Sequence, residues 1–200
     1  KLQKENIRKS IPDLYCLFEW SNSLEDMSMD GLIIANEFFD ALPTERFKVI
    51  DNNIECLFIG IDGDSYKHVW NSAPPDFIKE LELAKNNHEI YFKNNYISEI
   101  NLHYKKWLKS LDKVLNSGVI FLIDYGYNSK EYFLEDRNEG TLVCVHNHQP
   151  NFDPMINIGK QDLSSFVNFS HLNNICLSTK IDVTGYLIQS NFLINLGILD

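Results

Sequence analysis

The sequence lacks any C-x-x-C pair, any apolar run near the roughly 18 residues of a membrane span, and any excess of basic residues. Its four cysteines, Cys16, Cys56, Cys144 and Cys176, lie far apart, each in an apolar stretch, so buried reduced thiols are expected rather than disulfides or a thiolate metal site. Lys and Arg total 18 against 28 Asp and Glu, a formal charge of −10. Such a balance opposes a nucleic-acid surface, which needs concentrated cations to displace counterions. Lysines cluster only at residues 1–9 and 105–109, which read as solvated helix faces. No charged start followed by a short apolar stretch marks a secretory signal, and no span anchors the chain in a membrane. A cytoplasmic protein, or failing that one of the mitochondrial matrix, is expected. Lys1, not Met, comes first and sits in what reads as mid-helix, so further chain is expected upstream.

The phosphate-cradling patterns G-x-x-x-x-G-K-[ST] and G-x-G-x-x-G are absent, and no G-x-S-x-G turn presents a nucleophilic serine. These absences weigh against a nucleotide hydrolase, a dehydrogenase or a serine hydrolase. His146 and His148 flank Asn147, which would set two imidazoles on one side of an extended chain. No third ligand recurs at a diagnostic distance, so no metal site is expected. His68, His88, His103 and His171 have no sequence neighbours to partner them and read as surface or half-buried residues.

What remains can bury one sizeable core: 44% of residues are hydrophobic and 12% aromatic. A polar helix is expected over residues 1–10, closed before Pro12 and followed by the apolar Leu14 to Phe18. Residues 31–36 and 119–124 are continuous apolar runs of strand length, the pattern of parallel strands covered on both faces. Between them, residues 47–70 alternate short apolar stretches with the turn sequences Asp51-Asn52-Asn53 and Asp62-Gly63-Asp64, an antiparallel insertion. Helices are expected over residues 76–86, with Phe77, Leu81 and Ala84 on one face, and over residues 102–115, where Tyr104, Leu108, Leu111 and Leu115 share a face and Gly118 supplies the stop. A long polar region, residues 126–160, carries one apolar strand at 141–145 and reads as an active-site or substrate loop. Helices at 161–167 and 170–178, a strand at 181–188 and a last helix ending at Gly197 complete the expectation. The fold class is α/β: one doubly wound, mostly parallel open sheet over residues 1–200, whose ligands lie at the carboxyl ends of its strands.

At the carboxyl end of the first such strand stand Asn36, Glu37 and, three residues on, Asp40. Acids at a turn commonly cap the next helix, and taken alone the three residues fit that bland role as well as a chemical one. Asp124, followed by Tyr125 and Gly126, ends the next parallel strand and sets a third acid on the same rim. Three clustered acids are harder to explain as caps.

Residues 31–47, GLIIANEFFDALPTERF, resemble the signature of the MidA family of S-adenosylmethionine-dependent methyltransferases. Ser98-Glu99-Ile100, Trp107, the block from Gly118 to Tyr127 ending in IDYGY, Gly140-Thr141-Leu142, His148, Pro154, Gly159, Gln161-Asp162-Leu163 and the run from Gly185 to Ile198 follow in the family's order. The resemblance covers nearly the whole chain. It implies a Rossmann-like class I methyltransferase sheet and S-adenosylmethionine as cofactor. The family includes an assembly factor of mitochondrial complex I that dimethylates an arginine, so it also implies a protein partner bearing an arginine. The family's upstream strand with a glycine-rich cofactor loop, its acidic ribose-binding strand end and its closing strand are not in this sequence. The domain is therefore expected to be incomplete here, and this chain alone to bind the cofactor poorly and to be inactive. By family likeness the loop from Ser21 to Leu24, with Ser23 and Leu24, lies near the adenine and Asn36 near the transferred methyl, while Asp124, Tyr125 and His148 fall on the acceptor side.

Methyl transfer from a sulfonium is an in-line displacement in which alignment and charge matching do the work. An arginine acceptor is a planar cation with a pKa above about 12, and Glu37 and Asp40 are suited to hold its fork and accommodate the proton lost. Two other readings compete: a different acceptor, small molecule or RNA, on the same frame, with net acidity counting against RNA; and a non-catalytic assembly or chaperone-like binder that uses the crevice to hold a partner.

Overall fold

A computed structural model describes residues 2–199 except residues 25, 26, 64 and 87. Lys1 and Asp64, both used in the sequence reading, lie outside the described residues. Helix α1 (Leu2–Ser10) and a 3-10 turn (Pro12–Leu17) come first, followed by strand β1 (Met29–Asn36). Strands β2 (Glu45–Ile50), β3 (Asn53–Asp62) and β4 (Ser65–Ser72), helix α2 (Pro75–Ala84), strand β5 (Ile97–Ile100), helix α3 (Tyr104–Val114) and strand β6 (Leu115–Ile123) follow. The second half holds β7 (Gly126–Tyr127), α4 (Ser129–Tyr132), β8 (Val143–His146), β9 (Gln149–Asn151), β10 (Asp162–Ser164), β11 (Val167–Asn168), α5 (Phe169–Cys176) and α6 (Gln189–Asn195).

The two expected parallel strands pair directly, β1 beside β6, with Ile33 opposite Ile120 and Asn36 opposite Ile123. Their carboxyl ends are therefore level, and the acids that follow each strand meet. Close approach in this pair rests on glycine. Gly31 faces Gly118 in register, and a Cβ on Gly118 would lie 1.8 Å from the Gly31 carbonyl oxygen. Gly118 does not stop the preceding helix, as the sequence suggested; α3 ends at Val114, Leu115 opens β6, and Gly118 lies inside the strand at φ +148°.

Side chains on β1 and β6 divide by the period of two that strands impose. Ile33, Ala35, Ile120 and Leu122 point into a core built from Phe39, Tyr104, Leu108, Leu111, Val167, Leu172 and Ile175, so α3 and α5 cover that face. The opposite face is not covered as expected: Leu32 is 50% and Ile34 63% exposed, although Phe192 of α6 lies against it, its ring 5.8 Å from that of Phe121. The continuous apolar run described strands fit for burial on two sides; among the described residues, packing supplies one.

The antiparallel sheet extends beyond the insertion read from the turns. Its strand order is β4-β3-β2-β5, so residues 97–100 join through Phe47 opposite Ser98. Buried Phe77, Leu81 and Ala84 on α2 pack against Phe47, Val49, Tyr96 and Ile100 of this sheet, as their helical spacing required.

Residues 126–160 are more structured than a loop, containing β7, α4 and the β8–β9 hairpin. Within residues 161–167 the chain forms strand at Asp162–Ser164 and at Val167 rather than helix, because β10 pairs antiparallel with β8 and Val167 pairs parallel with Gly126. Partner strands decided this, not local propensity. Residues 181–188 find no ladder among the described residues and form no strand, since an extended segment becomes one only by sharing its N–H and C=O groups. Cys56, Cys144 and Cys176 are buried free thiols, whereas Cys16 sits in the 3-10 turn and is exposed.

Candidate active site

The turn after β1 is where the acids gather. Glu37 takes a left-handed backbone, φ 47°, a conformation that costs a non-glycine residue about 1 kcal/mol or more and that clusters at functional sites. Its N–H donates to the Ile123 carbonyl at 2.8 Å, which carries the β1–β6 ladder one step past the strand. The chain then turns back sharply, placing Phe39 in the core and Asp40 at the edge of it.

Asp124, half-buried at the end of β6, holds this turn. Oδ2 accepts from the Phe39 N–H at 2.9 Å and the Asp40 N–H at 3.3 Å, and Oδ1 accepts from its own neighbour Tyr125 N–H at 3.1 Å. The capping role weighed for Glu37 and Asp40 is thus performed by Asp124, 85 residues away in sequence. Burial and the nearby Asp40 charge push the Asp124 carboxyl above the ordinary aspartate range, and the three backbone donors pull it partly back.

Glu37, freed from capping, is exposed and stands beside Tyr125. The negative charge of Glu37 raises the Tyr125 phenol above the ordinary tyrosine range. Asp40 is only 9% exposed. Its carbonyl accepts from Ser165 N–H at 3.1 Å, while its Oδ1 has no hydrogen-bond partner among the described residues. Asn36 stands exposed at the end of β1 with no side-chain hydrogen bond among the described residues.

Five of the residues singled out from sequence, Asn36, Glu37, Asp40, Asp124 and Tyr125, are therefore brought to one rim by the parallel register. The other three lie elsewhere. Ser23 belongs to a small turn in which its N–H donates to Ser21 Oγ at 3.2 Å and its carbonyl accepts from the same hydroxyl. Leu24 follows at once and packs on the core beneath the rim, beside Phe39. His148 occupies the tip of the β8–β9 hairpin.

Asn147 and His148 both have positive φ, 49° and 62°, the conformation of a type I′ turn. The two imidazoles consequently do not share one side of an extended chain. His146 Nδ1 bonds the Lys160 carbonyl at 2.6 Å, and His148 is exposed. No group of three or more His, Cys, Asp or Glu able to hold a metal occurs among the described residues.

Two buried ionisable groups, Glu99 and His171, were not singled out from sequence as site residues. Glu99 on β5 is fully buried, with Oε1 accepting from the Thr141 N–H at 2.6 Å, from the Thr141 hydroxyl and from Tyr132 Oη at 3.3 Å. Burial raises its carboxyl above the ordinary range. Gly140 makes room for it: a Cβ there would lie 2.1 Å from Glu99 Oε2, and Gly140 has φ +79°. A lone acid in a strand otherwise destined for the core was the available signal. His171 is likewise buried, not a surface residue without partners, and its Nε2 lies 2.8 Å from Glu80 Oε1. Ninety-one residues separate that pair, and nothing local announces it.

A model of a protein family described as "Putative S-adenosyl-L-methionine-dependent methyltransferase" matches residues 1–187. The curated protein arginine methyltransferase NDUFAF7, mitochondrial, of Danio rerio is 24% identical over 187 residues, covering 90% of this chain and 40% of its own length. Among solved structures, a COG1565 superfamily member from Burkholderia thailandensis bound to S-adenosyl-homocysteine superposes with a TM-score of 0.87 at 26% identity, over 98% of this chain and 50% of that one. A native crystal structure of a COG1565 superfamily protein from the same organism gives 0.88 at 26% identity, over 98% and 51%. The chain thus spans about half the length, or less, of these relatives. The Rossmann-like α/β fold expected of the sheet is the fold of these neighbours.

Proposed function

Because this chain belongs to the MidA-like family of S-adenosylmethionine-dependent methyltransferases, we propose that the protein carrying it methylates an arginine side chain of another protein. The observation that carries this reading is the exposed Glu37 carboxylate, released from any capping duty by Asp124 and standing beside the buried Asp40 at the carboxyl ends of two level parallel strands.

The residues present fit one side of a cofactor site. Asn36 offers a carboxamide with no partner among the described residues, able both to donate and to accept, at the strand end, while Leu24 offers apolar surface next to the Ser21–Ser23 turn. In this reading Ser23 and Leu24 lie against the adenosyl portion and Asn36 near the sulfonium. The bound cofactor supplies an electrophilic methyl group.

This chain's own residues do the rest. Glu37 and Asp40 present carboxylate oxygens to the planar guanidinium, whose fork of N–H groups matches them. That contact orients one nitrogen and offsets the positive charge that an added methyl leaves behind until a proton departs. Tyr125 stands beside Glu37 at this rim, and Asp124 fixes the backbone from which Asp40 projects. His148, on its hairpin tip, would meet the acceptor protein away from the transfer point. The NDUFAF7 relative is a protein arginine methyltransferase, which favours a protein acceptor over RNA or a small molecule.

No helix among the described residues is long and apolar enough to cross a membrane. With free buried thiols at Cys56, Cys144 and Cys176, a reducing aqueous compartment suits the protein, bacterial cytoplasm or mitochondrial matrix.

The test is to incubate the full-length natural protein and labelled S-adenosylmethionine with extract from cells lacking it, then map modified residues by mass spectrometry. Label on arginine of a discrete protein is the expected result. Label confined to small molecules or RNA, or none above background, would overturn the reading.

A further inference from the structure

Successive backbone N–H groups of residues 165–167 tie distant parts of the chain together. Ser165 N–H donates to the Asp40 carbonyl at 3.1 Å, and Val167 N–H donates to the Tyr125 carbonyl at 2.7 Å. Between them, Phe166 N–H donates to the Thr141 hydroxyl at 2.9 Å. The outer two bonds end on the two turns that make the acid rim, one after β1 and one after β6. Asp124 already holds the N–H groups of Asp40 and Tyr125. Each of these residues is therefore fixed at both ends, its N–H by one carboxylate and its carbonyl by this segment. Contact with the second turn is close: a Cβ on Gly126 would lie 2.0 Å from the Val167 carbonyl oxygen.

Thr141 holds the middle of the segment. A hydroxyl has one proton to give and two lone pairs to receive with, and its rotor settles when a neighbour takes the proton. Glu99 Oε1 takes it, and also accepts the Thr141 N–H at 2.6 Å. A lone pair of the same hydroxyl then meets the Phe166 N–H. Glu99 is itself anchored by Tyr132 Oη at 3.3 Å and has no exposed surface, so it touches no acceptor. A buried acid thus reaches the rim through a hydroxyl and a strand of backbone.

We infer that Thr141, oriented by Glu99, is a positioning residue for methyl transfer: through residues 165–167 it sets where Asp40 and Tyr125 stand relative to Glu37. The inference rests on the protein-arginine reading, in which Glu37 and Asp40 hold the acceptor, and adds a residue that the acceptor does not meet. Misplacing reacting groups by about 1 Å can slow a reaction by about a hundredfold even when the altered residue is remote. A loss of that kind falls on kcat, because alignment matters most in the transition state. A residue that merely stabilised the fold would lower the melting temperature and leave the turnover of folded protein alone.

The experiment uses the full-length natural protein, labelled S-adenosylmethionine and a dilution series of extract from cells lacking it, well below the melting temperature. Thr141→Val keeps the shape and removes the hydroxyl; if it does not fold, Thr141→Ala removes the same group. Either is expected to lower the plateau rate of arginine labelling about tenfold or more. The half-saturating dilution and the affinity for S-adenosyl-homocysteine should stay unchanged. Thr141→Ser restores the hydroxyl and Glu99→Gln keeps the acceptor oxygen, so both should recover most of the rate. Val49→Ala trims a buried residue of the antiparallel sheet outside this chain of bonds, and should melt lower yet turn over like wild type. Amide exchange at Phe39 and Asp40 should quicken in Thr141→Val and not in Val49→Ala. Wild-type turnover without the hydroxyl, or an equal loss in Val49→Ala, would reduce Thr141 to a brace of the fold and leave arginine methylation standing. If wild type labels no arginine, the arginine reading falls by itself and exchange decides: unchanged protection at Phe39 and Asp40 removes the positioning role too, and quickened exchange keeps Thr141 as the residue that sets the rim for another acceptor.

Discussion

Asp124 accepts hydrogen bonds from the backbone N–H groups of Phe39 and Asp40, at 2.9 and 3.3 Å, and so fastens the end of one parallel strand to the turn that follows its neighbour. Replacing it with alanine leaves two part-buried donors unpaired, each costing about 1–3 kcal/mol. Asp124→Ala is expected to lower urea stability by roughly 2–4 kcal/mol, with a loss of methyl transfer larger than cofactor affinity alone accounts for. Asp124→Asn keeps one acceptor oxygen and should fall between. Unchanged denaturation in both variants would remove the brace from the account.

Glu37 and Asp40 carry the proposed chemistry, so Glu37→Gln and Asp40→Asn should each slow transfer to an arginine acceptor far more than they weaken the fold. Removing a charge that matches the guanidinium costs on the order of 2–4 kcal/mol in the transition state, a rate loss of roughly thirty- to a thousandfold. Stability should change by about 1 kcal/mol or less, because neither carboxylate caps a helix. Turnover at the wild-type rate in both variants would strike the two acids from the mechanism.

Gly118→Ala places a methyl group where the Gly31 carbonyl stands. Neither atom belongs to a flexible side chain, so β1 and β6 must separate. A loss of at least about 3 kcal/mol is expected, with failure to express as the extreme case. Measured stability within about 1 kcal/mol of wild type would show that the register tolerates a wider gap than the structure has.

Two acids, the half-buried Glu80 and the buried Glu99, should tilt the stability profile in opposite directions. His171 holds the Glu80 carboxyl below the usual 4.5, so the folded state binds fewer protons there than the unfolded one. That contribution is present above pH 4.5 and fades as pH falls through the lower folded value. Burial raises Glu99 above 4.5, so the folded state binds the extra proton and stability declines as pH rises from 4.5 through the folded value. Accordingly Glu80→Gln should be less stable than wild type near neutrality and converge with it in acid. Glu99→Gln should gain on wild type as pH rises. Urea titrations of the three proteins across this range provide the check, and parallel curves would refute both assignments.

Much of the architecture could be read from local pattern. The helical spacing of Phe77, Leu81 and Ala84 put those residues in a core, and the turns at Asp51-Asn52 and Asp62-Gly63 announced antiparallel strands. The unbroken apolar runs at residues 31–36 and 119–124 named the parallel pair. Failures came where a residue's state depends on a distant partner. Residues 162–164 and Val167 became strand because β8 and β7 offered hydrogen bonds, and residues 181–188 did not because no described strand did. Asn147 and His148 showed an apparent extended spacing that the hairpin's left-handed turn undid.

The same division runs through the candidate site. Amino-acid sequence alone determined that acids end two apolar strands, because strand length, polarity and the residue that follows are local properties. The division of labour among those acids required the level parallel register. Only with Asn36 opposite Ile123 can Asp124 reach the Phe39 and Asp40 N–H groups, and Glu37 is then left exposed beside Tyr125. Burial of Glu99 under Gly140, the pairing of Glu80 with His171, and the bonds that join Asp40 and Tyr125 to residues 165–167 are likewise tertiary. Each brings together groups tens of residues apart, whose desolvation and hydrogen bonding exist only once the chain has closed around them.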